Sequence, residues 1–247
     1  MVGGGYRVLS FDDLVKNHQN SIIVIATRLY HREILKQLLE HGFSDENIIN
    51  MGKMIDEMSE RQYFDLPYMK HCDHEVFADV GCFDGTTSMF FAKWSGNVYD
   101  AIYAFEPDYH NYEKCKRKLA DMLGSGEIFP YGLWNMETTL LFNAISTGAS
   151  AVSSDGTIKI QVKVLDEVLR DKNVTFIKMD VEGSELNALK GAKKMIVEKK
   201  PKLAISIYHK PEDMWEIPEL LLEYNPEYTF YLRHYSVAAD ETVLYAV

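Results

Sequence analysis

The residues with the clearest chemical potential are an acid and two glycines that follow an apolar run. Segment 77–88 reads FADVGCFDGTTS, with Asp79 near the end of the run and Gly81 and Gly85 four positions apart. The run predicts a buried strand, the glycines predict a tight turn, and the apolar positions after residue 88 predict a helix. Because glycine has no Cβ, such a turn lets the backbone approach a ligand closely.

The charges around this turn discriminate between nucleotide ligands. The spacing differs from the Gly-x-Gly-x-x-Gly of pyrophosphate-binding turns, and a pyrophosphate would meet Asp79 and Asp84 with like charge. A ligand that carries an ammonium and a sulfonium group would be attracted instead. The turn therefore favours S-adenosylmethionine over NAD, with Asp79 near the ammonium group.

A second acid follows the next predicted strand, at Ala101–Phe105. Glu106 lies 21 residues beyond Gly85, close to the offset of about 20 residues at which an acid binds ribose hydroxyls in nucleotide-binding βαβ units. We therefore expect Glu106 to hold a ribose. Asp108 is a good N-cap for the helix that follows.

Three more acids follow a buried strand in segment 176–185, which reads FIKMDVEGSE. Ser184 and Glu185 suit the start of a helix, as an N-cap and as a negative charge at the positive helix end. Asp180 and Glu182 fall in the turn before that helix and have no such structural explanation. They are therefore candidates to orient a substrate, to accept its proton or to hold a metal.

A histidine ends the following strand, in segment 204–211, AISIYHKP. Parallel strands present their carboxyl ends at one edge of a sheet, so His209 is a candidate general base beside Asp180 and Glu182. A structural, hydrogen-bonded histidine is the alternative. We assign no metal site from the sequence.

Together these segments resemble the FkbM family of S-adenosylmethionine-dependent methyltransferases, over residues 60–247. Further agreement comes from Leu165-Asp166-Glu167 and Lys190-Gly191-Ala192. The resemblance implies O-methylation of a hydroxyl on a sugar, a polysaccharide precursor or a secondary metabolite. Asp180, Glu182 and His209 are then the catalytic candidates. The candidates for binding the cofactor are Asp79, Gly81, Phe83, Asp84, Gly85, Thr86, Ser88, Glu106, Pro107, Leu133, Trp134 and Asp180, with the adenine expected near Leu133 and Trp134.

The resemblance also implies a fold class. It is an α/β class I methyltransferase fold, Rossmann-like, with a seven-stranded, mostly parallel sheet, helices on both faces and an antiparallel last strand. Alternating strand and helix patterns from residue 75 agree with a parallel sheet. The strands expected are Val76–Val80, Ala101–Phe105, Phe176–Met179 and Thr242–Ala246, with others at 127–132, 203–208 and 228–233. Segment 158–164 alternates polar and apolar residues and is expected to be an extra strand with one face open to solvent. Helices are expected near 86–95, 109–123 and 184–198.

Residues 1–70 are expected to form a small βα(β) unit and a connecting helix, separate from the methyltransferase domain at 71–247. A strand at 21–26 precedes a helix whose apolar positions are Ile34, Leu35, Leu38 and Leu39, and Gly42 suits a left-handed helix end. One such unit cannot cover both faces of its sheet. We therefore expect it to pack on the main domain or on a second copy of the chain, as in a homodimer.

Composition limits the partners and the location. The net charge of −11 at pH 7 argues against a nucleic-acid partner. No apolar stretch is long enough to span a membrane, and three cysteines without paired spacing suggest the reducing cytoplasm. The expected partner is a small-molecule or glycan hydroxyl acceptor. Two alternatives remain open, namely a non-catalytic module that binds a nucleotide-like ligand or organises a biosynthetic complex, and a nicotinamide dehydrogenase.

Overall fold

The structure is a computed structural model that describes residues 7–143, 151–152, 158–236 and 238–247. The chain divides into two compact units, Met1–Glu60 and Arg61–Val247. The division falls ten residues before the boundary expected from the sequence. The reason is that apolar side chains after Glu60, including Phe64 and Met69, are buried against Phe77 in the core of the second unit.

The first unit has a two-stranded parallel sheet with helices around it. Its elements are α1 (Phe11–Asn17), β1 (Ile23–Ile25), α2 (His31–Glu40), a 3-10 turn (Asp45–Asn47), β2 (Ile48–Asn50) and α3 (Met51–Arg61). Ile25, Leu38 and Phe43 form its core. Gly42 has a φ of +87°, which confirms the left-handed helix end. Leu39, predicted on the apolar face of α2, is instead 43% exposed.

The second unit alternates strands and helices as predicted. In chain order it contains β3 (Val76–Val80), α4 (Thr86–Trp94), β4 (Ala101–Phe105), α5 (Tyr109–Leu119), β5 (Glu127–Phe129), β6 (Gly132–Leu133), β7 (Thr138–Asn143), β8 (Ala151–Val152), β9 (Ile158–Lys163), α6 (Leu165–Val168), β10 (Phe176–Met179), α7 (Glu185–Lys190), α8 (Lys193–Lys199), β11 (Lys202–Ser206), α9 (Asp213–Tyr224), β12 (Phe230–His234) and β13 (Thr242–Ala246). No helix in the described part of the chain is long and apolar enough to cross a membrane.

Seven of these strands form the main sheet, in the order β12-β13-β11-β10-β3-β4-β5. The strands from β11 to β5 pair in parallel, and β13 is antiparallel to both of its neighbours. The expected seven-stranded sheet with an antiparallel last strand is thus confirmed. Chain order reverses at β3, because β4 lies on one side of it and β10 on the other. In open α/β sheets, ligands bind beyond the strand ends at such a point.

Strand alternation gives the main sheet two buried faces. On one face, side chains such as Ala78 and Ile177 pack with Leu189 and Ile217 from the helices that follow. On the other face, Phe77 stacks on Phe91 of α4, with ring centroids 4.2 Å apart. Helices therefore cover both faces of the sheet, as expected.

Two segments predicted as single elements are divided in the structure. Segment 127–132 splits into β5, in the main sheet, and β6, in a second sheet of order β6-β9-β7-β8. Pro130 lies between them and has no backbone N–H to continue a ladder. Helix 184–198 splits into α7 and α8 around Gly191, where a Cβ would lie 2.1 Å from the Trp134 carbonyl oxygen. Helix α9 has no counterpart among the predicted elements.

Candidate active site

The glycine turn after β3 and the acid cluster after β10 meet at the reversal of strand order. A Cβ on Gly81 would lie 1.9 Å from the Asp180 carbonyl oxygen, and Gly81 has a φ of +76°. Any side chain at this position would clash with the loop after β10, and the left-handed backbone also favours glycine. Gly81 is therefore required by the fold itself, apart from any close approach of a ligand. This contact places the expected ligand turn directly beside the catalytic candidates.

Asp79 and Ser88 are buried in the protein rather than presented to a ligand. Asp79 is 0% exposed, accepts a hydrogen bond from Ser88 Oγ at 2.7 Å and lies 3.2 Å from Lys178 Nζ. Lys178 also donates to the Gly81 carbonyl at 2.7 Å. Burial lowers the pKa of Lys178, but the charges of Asp79 and Asp180 outweigh burial and raise it. Lys178 is therefore the positive group next to Asp79 in the structure, and a role of Asp79 near the ammonium group of the cofactor stays a prediction.

Asp84 and Thr86 organise the start of α4. Asp84 accepts hydrogen bonds from the Thr86 backbone N–H and hydroxyl, at 3.0 and 2.7 Å, and from Lys118 of α5. Burial opposes ionisation of Asp84, yet the hydrogen bonds from Lys118 and Thr86 hold its pKa below the usual range. Phe83, in the same turn, is 38% exposed with a φ of +51°. Of these residues, Phe83 is the one best placed to meet a ligand.

Glu106 follows β4 and is anchored to the same turn. Its two carboxylate oxygens each accept a backbone N–H at 2.9 Å, from Phe83 and from Asp108. Burial raises its pKa to about 7, although these hydrogen bonds lower it. A carboxylate has about four acceptor positions, so two are left for ribose hydroxyls. Asp108 accepts from the Asn111 N–H and caps α5, which confirms its predicted structural role.

The region where the adenine is expected lies beside Glu106, and its apolar side chains are largely packed against the protein. A Cβ on Gly132 would lie 3.8 Å from Pro107. Leu133 is buried in the main core, and Trp134 packs against Ile160 and Val162 of β9. An adenine contact with Pro107, Leu133 or Trp134 therefore stays a prediction.

The structure brings Asp180, Glu182 and His209 together. His209 Nε2 lies 3.5 Å from Asp180 Oδ1 and 3.3 Å from Glu182 Oε2. Burial lowers the pKa of His209, but Glu182, Glu185 and Asp180 outweigh burial and raise it to about 10. At neutral pH the imidazole in this arrangement is therefore protonated. A protonated imidazole cannot accept a proton, which favours the two carboxylates as the base, and the catalytic roles of all three residues stay predictions.

Glu185 belongs to this cluster, although the sequence suggests only a role in the helix. It is 0% exposed, its Oε1 lies 2.9 Å from His209 Nδ1, and it accepts the Val181 N–H at 2.8 Å. Ser184 occupies the N-cap position of α7 but makes no capping hydrogen bond with its side chain. Glu185 therefore places a negative charge in the first turn of α7 and also lies against His209.

Two further residues of the site are missed by the sequence analysis. Tyr63 lies 117 positions before Asp180 and donates its hydroxyl to Asp180 Oδ2 at 2.8 Å. No local pattern marks this tyrosine. Lys178 does carry a signal, because it is a charged residue within the apolar run Phe176–Met179.

The residues of this crevice fit a nucleoside with a cationic centre. Glu106 supplies acceptors for a ribose, and the acids after β10 supply negative charge next to the glycine turn. With the strand order described above, the site and the sheet define a class I S-adenosylmethionine-dependent methyltransferase. A family model for the FkbM methyltransferase domain matches residues 75–235. The chain belongs to the FkbM methyltransferase family, and its cofactor is S-adenosylmethionine.

Solved structures agree with this assignment. The methyltransferase FkbM from Methylobacillus flagellatus KT is 27% identical with a TM-score of 0.66, and the match covers 90% of this chain and 56% of that one. The chain therefore spans little more than half of that protein. No curated protein matches the sequence significantly.

Two other methyltransferase structures are more distant. Fibrillarin from Aeropyrum pernix, solved with natively bound S-adenosyl-L-methionine, is 12% identical with a TM-score of 0.49, covering 77% of this chain and 74% of that one. An rRNA methylase from Streptococcus thermophilus is 16% identical with a TM-score of 0.42, covering 79% and 93%. At these scores neither supports an argument about substrate.

Proposed function

We propose that the protein is an O-methyltransferase that acts on a hydroxyl of a sugar, a polysaccharide precursor or a secondary metabolite. The observation that carries the proposal is the pair of carboxylates beside the glycine turn. Asp180 and Glu182 have side chains that are 22% and 27% exposed. Both side chains are therefore partly open to solvent at the edge of the sheet where the cofactor is expected, although Asp180 Oδ1 is buried.

In this proposal Glu106 binds the ribose and the glycine turn lies along the methionine part of the cofactor. When bound, S-adenosylmethionine supplies an electrophilic methyl group on a sulfonium. Tyr63 donates a hydrogen bond to Asp180, and His209 Nε2 lies 3.5 Å from Asp180 Oδ1 and 3.3 Å from Glu182 Oε2. The two carboxylates orient the acceptor hydroxyl and accept its proton as the C–O bond forms and the C–S bond breaks. In-line positioning supplies much of the rate in such a transfer.

The test is turnover with methyl-labelled cofactor and a panel of hydroxyl acceptors. Asp180→Asn and Glu182→Gln are expected to lower kcat by roughly 10²–10⁴, the range for a positioned acid–base group. Cofactor affinity, measured by calorimetry, is expected to stay within a few-fold. Near-normal turnover in both variants would refute the assignment of these residues.

The same assay separates the proposal from a non-catalytic module. Cofactor binding without transfer to any hydroxyl acceptor would favour a ligand-binding or scaffold role. Methylation of amine acceptors alone would retain the methyltransferase but refute O-methylation.

We also propose a cytoplasmic location and a homodimer formed through the first unit. Cys82 and Cys115 have Sγ atoms 3.3 Å apart and are free thiols, which suits a reducing compartment. The dimer interface would be the apolar face of the β1–β2 sheet, where Val24 and Ile49 are exposed.

A further inference from the structure

We infer that Asp180, Glu182 and His209 form a binding site for a divalent metal ion. Each residue offers one ligand atom, and these three atoms lie within 4.8 Å of one another. Oxygen and nitrogen ligands lie about 2.0–2.2 Å from ions such as Zn²⁺ or Mg²⁺, so ligands of one ion are roughly 3–4.4 Å apart. The distances of 3.5 and 3.3 Å from His209 Nε2 to the two carboxylates fall in this range.

An independent observation is that the facing atoms are buried without hydrogen-bond partners. His209 Nε2 and Asp180 Oδ1 are inaccessible to solvent, and neither makes a hydrogen bond with suitable geometry. The His209 side chain as a whole is only 9% exposed. A buried polar atom without a partner is costly, so native structures satisfy such atoms with protein, water or an ion. An ion between these atoms would satisfy both.

The surroundings have the form of an outer shell around a metal ligand. Glu185 Oε1 lies 2.9 Å from His209 Nδ1, on the side of the ring away from Asp180 and Glu182. In the structure neither His209 Nδ1 nor Nε2 makes a hydrogen bond with suitable geometry; with Nδ1 as a donor to Glu185, a carboxylate behind a metal-binding histidine would fix the ring and leave Nε2 for the ion. Tyr63 holds the second oxygen of Asp180 in the same way.

Two carboxylates and one imidazole suit a divalent ion such as Mn²⁺ or Zn²⁺. Three protein ligands leave coordination positions open on such an ion, and the side chains of Asp180 and Glu182 are partly exposed to solvent. A bound ion would bind the acceptor oxygen and lower the pKa of its hydroxyl, as metal-bound water is acidified. This catalytic role rests on the proposed O-methylation, whereas the binding of the ion does not.

The test is titration of the metal-free protein with Mn²⁺ alone, followed by the electron paramagnetic resonance signal of free Mn²⁺. We expect one ion per chain, displaced by Zn²⁺. Glu182→Gln and Asp180→Asn should each weaken binding at least tenfold, and Glu185→Gln should weaken it 10- to 100-fold, as for outer-shell carboxylates. Asp121→Asn, which removes an exposed acid on another part of the surface, should leave binding unchanged.

No binding at pH 8, or equal binding in all four variants, would overturn the inference. Thermal unfolding reports whether a substitution at the more buried Asp180 or Glu185 disturbs folding. Glu182 lies in a partly exposed turn, so Glu182→Gln tests the site even if the other two variants are destabilised. Cofactor affinity measured in EDTA is independent of the ion. An ion bound without methyl transfer would refute the proposed function and leave the metal site intact.

Discussion

At the residue scale, the main feature is the buried ion pair of Asp79 and Lys178, which lies close to the acids of the site. Their side chains are 0% and 3% exposed. Removing one partner of a buried ion pair is far more harmful than replacing both, because the remaining charge is left unpaired in a medium of low dielectric constant. The lysine is therefore expected to stabilise the fold beneath the site rather than to act in the reaction.

Lys178→Met is expected to lower the free energy of unfolding by about 3–5 kcal/mol, the range for a broken buried ion pair. The double variant Asp79→Asn/Lys178→Met should recover most of this loss, because no unpaired charge remains. Urea unfolding of the three proteins measures both effects. A double variant that is less stable than Lys178→Met would contradict the pairing.

The pKa of Glu106 makes cofactor affinity depend on pH. Burial raises that pKa from 4.5 to about 7, so the carboxylate that accepts ribose hydroxyls forms only as the pH rises through this value. Affinity for S-adenosylmethionine should rise roughly tenfold between pH 6 and pH 8. Calorimetry at these two values is the measurement, and Glu106→Gln, which cannot ionise, should bind weakly with little change. An equal slope in the variant would assign the dependence to another group.

The raised pKa of Glu106 affects the stability of the ligand-free protein in the opposite direction, so that stability falls as the pH rises. A raised pKa means that the folded state favours the neutral acid. The contribution of Glu106 to stability is therefore complete below about pH 4.5 and is lost as the pH rises through about 7. Strong binding and high stability of the free protein are thus favoured at different pH values.

At the scale of the elements, the active site depends on how closely the loops after β3 and β10 approach. Gly81 allows this contact, whereas Gly96 combines a similar φ, +63°, with open space. The two glycines separate the strain of a left-handed backbone from the effect of crowding. They therefore provide matched positions for one substitution.

Gly81→Ala is expected to destabilise the protein by several kcal/mol, since its Cβ would meet the Asp180 carbonyl oxygen at 1.9 Å. Gly96→Ala should cost only about 1 kcal/mol, the strain of a left-handed alanine. Thermal unfolding measures both, and the Gly81 variant should also lose turnover because Asp180 is displaced. Equal losses of stability would show that the two loops are not in contact.

At the scale of the whole molecule, one face of the β1–β2 sheet in the first unit carries exposed apolar side chains. Ile22, Val24 and Ile49 are 71%, 52% and 48% exposed, and Val24 is paired with Ile49 across the two strands. The opposite face is covered by the core around Ile25 and Leu38. An exposed apolar face of this kind marks an interaction surface, and we proposed above that a second copy covers it.

Val24→Lys is therefore expected to convert a dimer into a monomer in light scattering, because a charge on the exposed apolar face opposes its burial. The unfolding midpoint of the monomeric variant should change little. Val197→Lys, at a position 43% exposed on the second unit, is the matched control and should remain dimeric. A monomeric wild-type chain would refute the proposed dimer.

The sequence by itself determined the elements whose signals are local. The bounds of β3, β4, β10 and β13 follow from apolar runs, and the glycine turn and the acids after β10 follow from residues adjacent in the chain. Gly191 shows the limit of such signals, because it divides a predicted helix where another segment, at Trp134, approaches the backbone.

The tertiary structure alone decided which of these residues are partners. Asp79 pairs with Lys178, Glu185 lies against His209, and Tyr63 bonds to Asp180. These contacts join residues that are far apart in the chain. They become neighbours only when the strands are ordered in the sheet and the loops after β3 and β10 come into contact. The energy of a charge depends on its burial and on its neighbours. The roles of the acids in this site were therefore set only when the sheet brought them together.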